Sequence, residues 1–170
     1  MEAKTVKESR VIRTDLVMPN ETNNHNTMFG GILMRNIDAN SAIAARRHCR
    51  TDVVTASTDS VDFLVPIKPT DSVCLESFVT WTGRSSIEVF TKAIAEDLNT
   101  GQRRIAATAF LTFVSISPEG KPQQVPQILP ETEEEKKLHE TGAVRAELRK
   151  TRRNQAKELA SYISLSKPWE

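Results

Sequence analysis

The sequence predicts an α+β fold in which one long helix packs on one antiparallel sheet. Three observations carry this expectation. A single stretch, Gly30 to Arg50, holds good helix formers and no proline. Four later segments alternate apolar and polar residues, as half-buried strands do. The connections between those segments are short and rich in turn residues, which suits antiparallel pairing, because a parallel pair needs a crossover.

Taken in order, residues 1–9 are polar and are expected to be a flexible N-terminus, and a first strand follows near Arg10–Val17. Gly30-Gly31 opens the helix. Within it Met34, Asp38, Ala42 and Ala45 recur at helical spacing and predict a core-facing stripe, while Arg35, Arg46 and Arg50 keep to one edge. Ala39, Ala42, Ala44 and Ala45 make the helix thin, as is needed if a sheet closes around it. Val53–Leu64 is the next strand, ended by Pro66-Ile67-Lys68-Pro69. Val73, Leu75, Val79 and Trp81 alternate, then Ile87, Val89, Ala93 and Ala95, then Ile105, Ala107, Ala109, Leu111 and Phe113. Thr82-Gly83-Arg84-Ser85, Asn99-Thr100-Gly101 and Pro118-Glu119-Gly120 supply the turns. The periodic body is therefore residues 10–117. A proline-broken linker spans 118–130, and a charged helical tail occupies 131–170. In the tail acids precede bases, matching a helix dipole; Thr132 and Glu135 have the spacing of a capping box, and Gly142 divides the run.

Composition bounds the function. The 170 residues are 38% hydrophobic, enough for a packed core. Lys plus Arg total 23 against 22 for Asp plus Glu, so no overall field directs the protein to nucleic acid or to an anionic membrane. The apolar runs fall far short of the roughly 20 residues that cross a bilayer, and the charged N-terminus lacks the core of a secretory signal. Cys49 and Cys74 form no CxxC pair, and the three histidines are scattered, so neither a disulfide framework nor a metal site is expected; the expected location is the cytoplasm.

The residues that carry chemistry cluster around the start of the helix. Asp38 stands mid-helix where a structural stripe would place an apolar side chain, as suits a general base; its alternative role is to satisfy a neighbouring loop. Ahead of the helix, residues 20–26 hold four asparagines, followed by Met28-Phe29-Gly30-Gly31. A glycine pair at a helix N-terminus lets a ligand approach closely, and its free N–H groups can face a developing oxyanion. There is no GxxxxGK[ST] phosphate loop and no GxSxG elbow. The turn Gly83-Arg84-Ser85-Ser86 offers a guanidinium and hydroxyls suited to phosphate, and Lys68 is a further cation.

Together Met18-Pro19, Asn23, Phe29-Gly30-Gly31, Met34, Asp38, Val54-Thr55, Asp62-Phe63-Leu64 and Gly83-Arg84-Ser85-Ser86 resemble the acyl-CoA thioesterases of the hotdog fold, in the bacterial branch allied to brain-type acyl-CoA hydrolases. The combination N-x5-FGG-x6-D is the specific part. The resemblance implies a long central helix wrapped by a curved antiparallel sheet, and a homodimer, assembled further as a trimer of dimers, with active sites at the dimer interface. It implies hydrolysis of acyl-CoA to free acid and CoA, without metal or cofactor. By position, Asp38 would be the general base or a nucleophile forming a mixed anhydride. Asn23 would orient water or thioester, Gly31 would supply the oxyanion N–H, and Thr55 would support them. Gly83, Arg84, Ser85, Ser86 and Lys68 would contact CoA, Gly30 would also contact the substrate, and Phe29, Met34 and Phe63 would line the acyl tunnel. Thr27 stands where several relatives carry Asp or Asn and cannot act as a base at neutral pH, which leaves Asp38 as the acid.

Other readings are a non-catalytic acyl-CoA sensor, a hotdog dehydratase of hydroxyacyl thioesters, and a nucleic-acid-binding protein using the basic tail. The sensor would not need the Asn23 and Asp38 pair, and the dehydratase would want a histidine beside the acid.

Overall fold

The computed structural model describes residues 1–169. Its centre is a five-stranded antiparallel sheet of β2 (Val11–Leu16), β3 (Asp52–Phe63), β4 (Asp71–Thr82), β5 (Ser86–Asp97) and β6 (Arg103–Ile116), in the order β2-β4-β5-β6-β3. The helix α2 (Gly30–Cys49) lies across one face. It stops where Arg50 turns into the left-handed region at φ 58°, its N–H still donating to the Arg46 carbonyl. Hairpins join β4 to β5 and β5 to β6, the second through Gly101 at φ +74°. Strand β3 departs from the expectation of successive hairpins. Its partner is β6, because the Pro66–Pro69 segment carries the chain across the sheet before β4 begins.

The face beneath α2 is the main core: Val73, Leu75 and Val79 of β4, Ile87 and Val89 of β5, and Leu111 and Phe113 of β6 meet Leu33, Ile37, Ala44 and Ala45. Polar groups are built into this packing. Asn40 Nδ2 donates to Ser77 Oγ (2.8 Å), and the hydroxyls of Ser41, Thr91 and Ser77 form a chain at 2.8 and 2.6 Å.

Burial runs against two expectations. The buried stripe of α2 is Leu33, Asn36, Ile37, Asn40, Ser41, Ala44, Ala45 and His48, whereas Met34 and Asp38 are exposed, so the expected core-facing stripe through them is incorrect. One residue along a helix turns the side chain by about 100°, which is enough to exchange the two faces. Nor is the N-terminus frayed. Lys4–Thr5 (β1) pairs in parallel with Ile128–Leu129 (β7), and Val6–Ser9 (α1) buries Val6 and Ser9. Ser9 Oγ accepts the Val79 N–H at 3.0 Å, so the segment is tied into the sheet.

The opposite face of the sheet carries a second, smaller core. Phe78, Phe90 and Phe110 stack across it, with centroids 5.7 and 5.0 Å apart, and the guanidinium groups of Arg10 and Arg145 lie over the outer two rings. The tail covers this face as α3 (Glu133–Glu140) and α4 (Gly142–Tyr162). Thr132 caps α3, accepting the Glu135 N–H while Glu135 accepts the Thr132 N–H, in the capping box that the spacing indicated. Buried Glu88 then anchors α4, accepting from Arg145 Nη2 at 2.7 Å and from Thr80 Oγ1 at 2.8 Å. At Gly142 the helix comes so close to Trp81 that a Cβ would lie 2.5 Å from the indole Cδ1. The segment between body and tail is packed rather than loose: Val125 and Ile128 are buried, and the Pro126 carbonyl meets His48 Nε2 at 2.8 Å.

His48 makes the fold sensitive to acid. It is fully buried, and burial holds its imidazole below the ordinary 6.5 despite the Pro126 carbonyl, the next largest influence. Neutral His48 is thus the native form, while the unfolded chain binds a proton below that ordinary value. Its contribution to stability should be intact above about pH 6.5 and should fall as pH drops from there toward the folded value. Urea denaturation at pH 7.5 and 5.5 should show a smaller stability at the lower pH. A His48→Gln variant, weaker overall, should show a flatter dependence; an unchanged slope would remove His48 as the cause.

Candidate active site

The loop before α2 is shaped by its asparagines. Asn23 Oδ1 accepts the N–H groups of His25 (2.9 Å) and Thr27 (3.2 Å), and Asn26 takes a left-handed turn at φ 56°. Asn23 Nδ2 donates one hydrogen to Thr27 Oγ1 at 3.0 Å, which leaves its second N–H for another acceptor. Thr27 is thereby engaged in holding Asn23.

The loop delivers the chain to a helix start with no side-chain cap. Phe29 occupies the N-cap position without a side-chain hydrogen bond. The N–H groups of Gly30 and Gly31, in the first turn, have no carbonyl of the same helix to reach. Both glycines lie close to rings: a Cβ on Gly31 would come within 2.6 Å of Phe29 Cε1, and one on Gly30 within 3.4 Å of Phe63 Cζ. A cleft of about 390 Å³ opens there, lined by Asn23, Thr27, Gly30, Leu33, Phe63 and Ile67 among others. An amide, uncapped helix N–H groups and apolar walls suit an acyl carbonyl with its chain.

Asp38 lies two turns further along α2, on its exposed side. Thr55 of β3 donates from Oγ1 to Asp38 Oδ1 at 3.0 Å, which fixes the carboxylate and leaves Oδ2 open. At 1.5 Å per residue, eight residues separate Asp38 from Gly30 by about 12 Å along the helix; the side chain of Asn23 bonds within its own loop and that of Asp38 to Thr55, with no hydrogen bond between the two. The surface they share is apolar for its position: Phe29, Met34, Ile43, Val54, Phe63 and Leu64 are all exposed. It adjoins β3, a 12-residue edge strand with one side unpaired.

The turn residues lie elsewhere. Gly83, Arg84 and Ser86 line a larger cleft of about 920 Å³ on the far face of the sheet, bounded by α4. Ser85 is not part of its lining; its carbonyl accepts the Ser115 N–H at 3.0 Å. Lys68 is not brought to this cleft either, since it sits in the loop after β3, where its N–H binds Asp71 Oδ2 at 2.6 Å. The α4 cations that reach it, Arg149, Lys150, Arg152 and Arg153, read in the sequence only as part of a charged run. Among the described residues no three His, Cys, Asp or Glu side chains gather as a metal site requires, and no helix is long and apolar enough to cross a membrane.

The family model of the thioesterase superfamily matches residues 25–102, the interval from the loop to the end of the β5 turn. An uncharacterized acyl-CoA thioester hydrolase of Bacillus subtilis is 56% identical over 168 residues, covering 99% of this chain and 98% of that one. The crystal structure of an acyl-CoA hydrolase from Bacillus cereus superimposes with a TM-score of 0.94 at 48% identity, covering 96% of this chain and all (100%) of the other. The acyl-CoA hydrolase of Staphylococcus aureus, solved with butyryl coenzyme A, coenzyme A and coenzyme A disulfide, matches at a TM-score of 0.90 and 44% identity over 94% of this chain and 98% of that one. Variants of that enzyme with an aspartate, a threonine or an asparagine replaced by alanine have also been solved. An apo-hexameric acyl-CoA thioesterase matches at 0.87 and 45% identity, over 89% and 97% of the two chains.

Proposed function

This chain belongs to the acyl-CoA thioester hydrolases of the thioesterase superfamily, and from that premise we propose that it hydrolyses acyl-CoA at a site made by two protomers, with Asp38 of one and Asn23 of the other. The observation that carries the reading is that Asp38 stands about 12 Å along α2 from the helix start to which the Asn23 loop leads, on a surface that exposes Phe29, Met34, Ile43 and Phe63. Two copies related by a two-fold axis, joined along their β3 edges, would run their α2 helices in opposite directions. The start of each helix would then lie beside the middle of the other. Pairing would also cover Phe29, Met34, Ile43 and Phe63 and satisfy the open edge of β3.

In this arrangement the acyl chain lies against Phe29 and Phe63, and its carbonyl oxygen faces the Gly31 N–H. Asp38 Oδ2 takes a proton from a water held by the free N–H of Asn23. That water's oxygen bonds to the thioester carbon, and the negative charge passes to the carbonyl oxygen. Collapse breaks the carbon–sulfur bond, and the proton held by Asp38 goes to the departing sulfur, giving free acid and CoA. Thr55 holds Asp38 Oδ1 throughout. The reaction uses water, a carboxylate and backbone dipoles, and coenzyme A enters only as part of the substrate. We extend the reading to a trimer of dimers acting in the cytoplasm, as the hexameric state of one relative suggests.

Release of free thiol from a panel of acyl-CoA esters, acetyl to palmitoyl, tests the activity and sets the chain preference. Turnover on one or more chain lengths is expected. Binding of CoA with no release from any ester would leave an acyl-CoA sensor in its place.

A further inference from the structure

Helix α4 crosses the outer face of the sheet strand by strand. It starts with Gly142 against Trp81 of β4, and Arg145 then binds Glu88 of β5 and lies over the Phe110 ring of β6. Arg149 and Arg152 reach Asp59 of β3 at 3.2 and 2.5 Å. Three strand spacings make about 14 Å, and the rise from Gly142 to Arg152 is about 15 Å, so the helix runs nearly perpendicular to the strands and arrives at the open β3 edge at Arg152. It does not stop there. Residues 153–162 continue it for about another 15 Å, and from Asn154 to Tyr162 every residue is exposed. So short a projecting helix is marginal by itself in water and depends on packing of one face.

The helix carries such a face. Val144, Leu148, Leu159 and Tyr162 are 61, 65, 62 and 80% exposed. At 3.6 residues per turn they fall within about 60° of one another. This stripe lies about a quarter turn from the side that Arg145, Arg149 and Arg152 present to the sheet. It points away from the flank on which Ala146, Lys150 and Arg153 line the 920 Å³ cleft. The stripe therefore looks sideways along the sheet surface, toward a neighbour lying alongside.

The two-protomer site proposed above, on which this inference rests, locates that neighbour. Thr55 holds Asp38, and Phe63 packs at Gly30 beside the Asn23 loop. Bringing Asp38 of one protomer to Asn23 of the other sets Thr55 of one β3 opposite Phe63 of its partner, so the antiparallel pair of β3 strands centres on Asp59. Asp59 is also where α4 is tied down as it leaves the sheet. Each projecting end then runs over the partner's sheet, beside the partner's α4 and antiparallel to it. We propose that the two α4 helices pair across the dimer axis, with Leu148 beside the partner's Leu159 and Val144 beside the partner's Tyr162. Both pairs have their midpoints at or next to Arg153, just past the β3 edge. The stripe is thus complementary to itself under the same rotation that builds the site, and the tail, outside the matched family region, fastens the catalytic dimer.

Disulfide trapping in the full chain tests the pairing. In a Leu148→Cys, Leu159→Cys variant the two thiols stand about 16 Å apart on one helix, too far to join within a protomer, and mild oxidation should link two chains. Wild type, with free Cys49 and Cys74, is the background control. A Lys150→Cys, Lys157→Cys variant has the same midpoint on the cleft-side flank and should stay as single chains in a denaturing gel. A Leu148→Asp, Leu159→Asp variant should keep its helical content, both positions being exposed, and raise the dimer dissociation constant about tenfold or more in sedimentation. A wild-type dimer in which the Leu148→Cys, Leu159→Cys variant links no faster than the cleft-side variant would overturn the pairing and leave the two-protomer site standing. A covalent ladder beyond two chains would also overturn it, putting the stripe between dimers. So would wild-type binding to phosphatidylglycerol vesicles that the Asp variant loses, which would make the stripe a membrane face. Failure of the site reading appears separately, as a linked dimer in which mixed Asn23→Ala and Asp38→Asn protomers recover no activity.

Discussion

Asp38→Asn should lower kcat/KM for the preferred acyl-CoA by about 10³-fold, within the range attributed to a positioned general base. That corresponds to about 4 kcal/mol of transition-state stabilisation. The amide keeps the size of the side chain and its hydrogen bond from Thr55, but it cannot take a proton from water at neutral pH. The loss should fall on kcat, because the carboxylate faces the reacting water and not the CoA. Stability should change little: Asp38 is exposed in the protomer and has one side-chain partner, so thermal melting is the internal control. Thr55→Ala should give a smaller loss, about tenfold, since it frees the carboxylate to rotate without removing it. Free-thiol release measures both. A kcat within a few-fold of wild type in Asp38→Asn would remove Asp38 from the chemistry and return it to a surface carboxylate.

What the sequence made legible, and what it hid, follows from where partners lie along the chain. The strands were readable because alternation is local: Ile87, Val89 and Ala93 point to one face whatever they meet there. The bounds of α2 were readable for the same reason, from a glycine pair and an uninterrupted run. Which side of α2 faces the core was not. Its inner side carries Asn40, Ser41 and His48, whose hydrogen bonds go to residues dozens of positions away, such as Ser77, Thr91 and Pro126. Its outer side carries Met34 and Ile43. Periodicity reports apolar surface without saying whether a sheet of the same chain or a second protomer is to cover it. Asp38 was thus picked out as a functional residue for a burial that the protomer does not provide. The outer-face network was invisible for a related reason, since Glu88 and its partner Arg145 stand 57 residues apart and read singly as solvated charges. Val6 and Ser9 sit in too short a segment to show any period, though they tie the N-terminus to β4.

Mixing two inactive variants should restore activity, and this tests the shared site more sharply than any single substitution. In the proposed dimer each site takes Asn23 from one protomer and Asp38 from the other. A protomer carrying Asn23→Ala paired with one carrying Asp38→Asn therefore forms one doubly damaged site and one intact site. Random reassociation of equal amounts makes half of the dimers mixed, each with one working site of two. Activity should rise from the residual of the separate variants to about a quarter of wild type. Co-expression with two affinity tags, or dissociation in mild denaturant followed by dilution, produces the mixed dimers. Neither residue sits where its loss would block pairing: Asn23 bonds only within its own loop, and Asp38 only to Thr55 of its own chain. If both groups served one protomer's site, every site in the mixed population would carry a lesion and activity would stay at the average of the two variants. Recovery to about a quarter would place the reaction between protomers and make pairing a condition of catalysis; no recovery in a verified heterodimer would sink the two-protomer site.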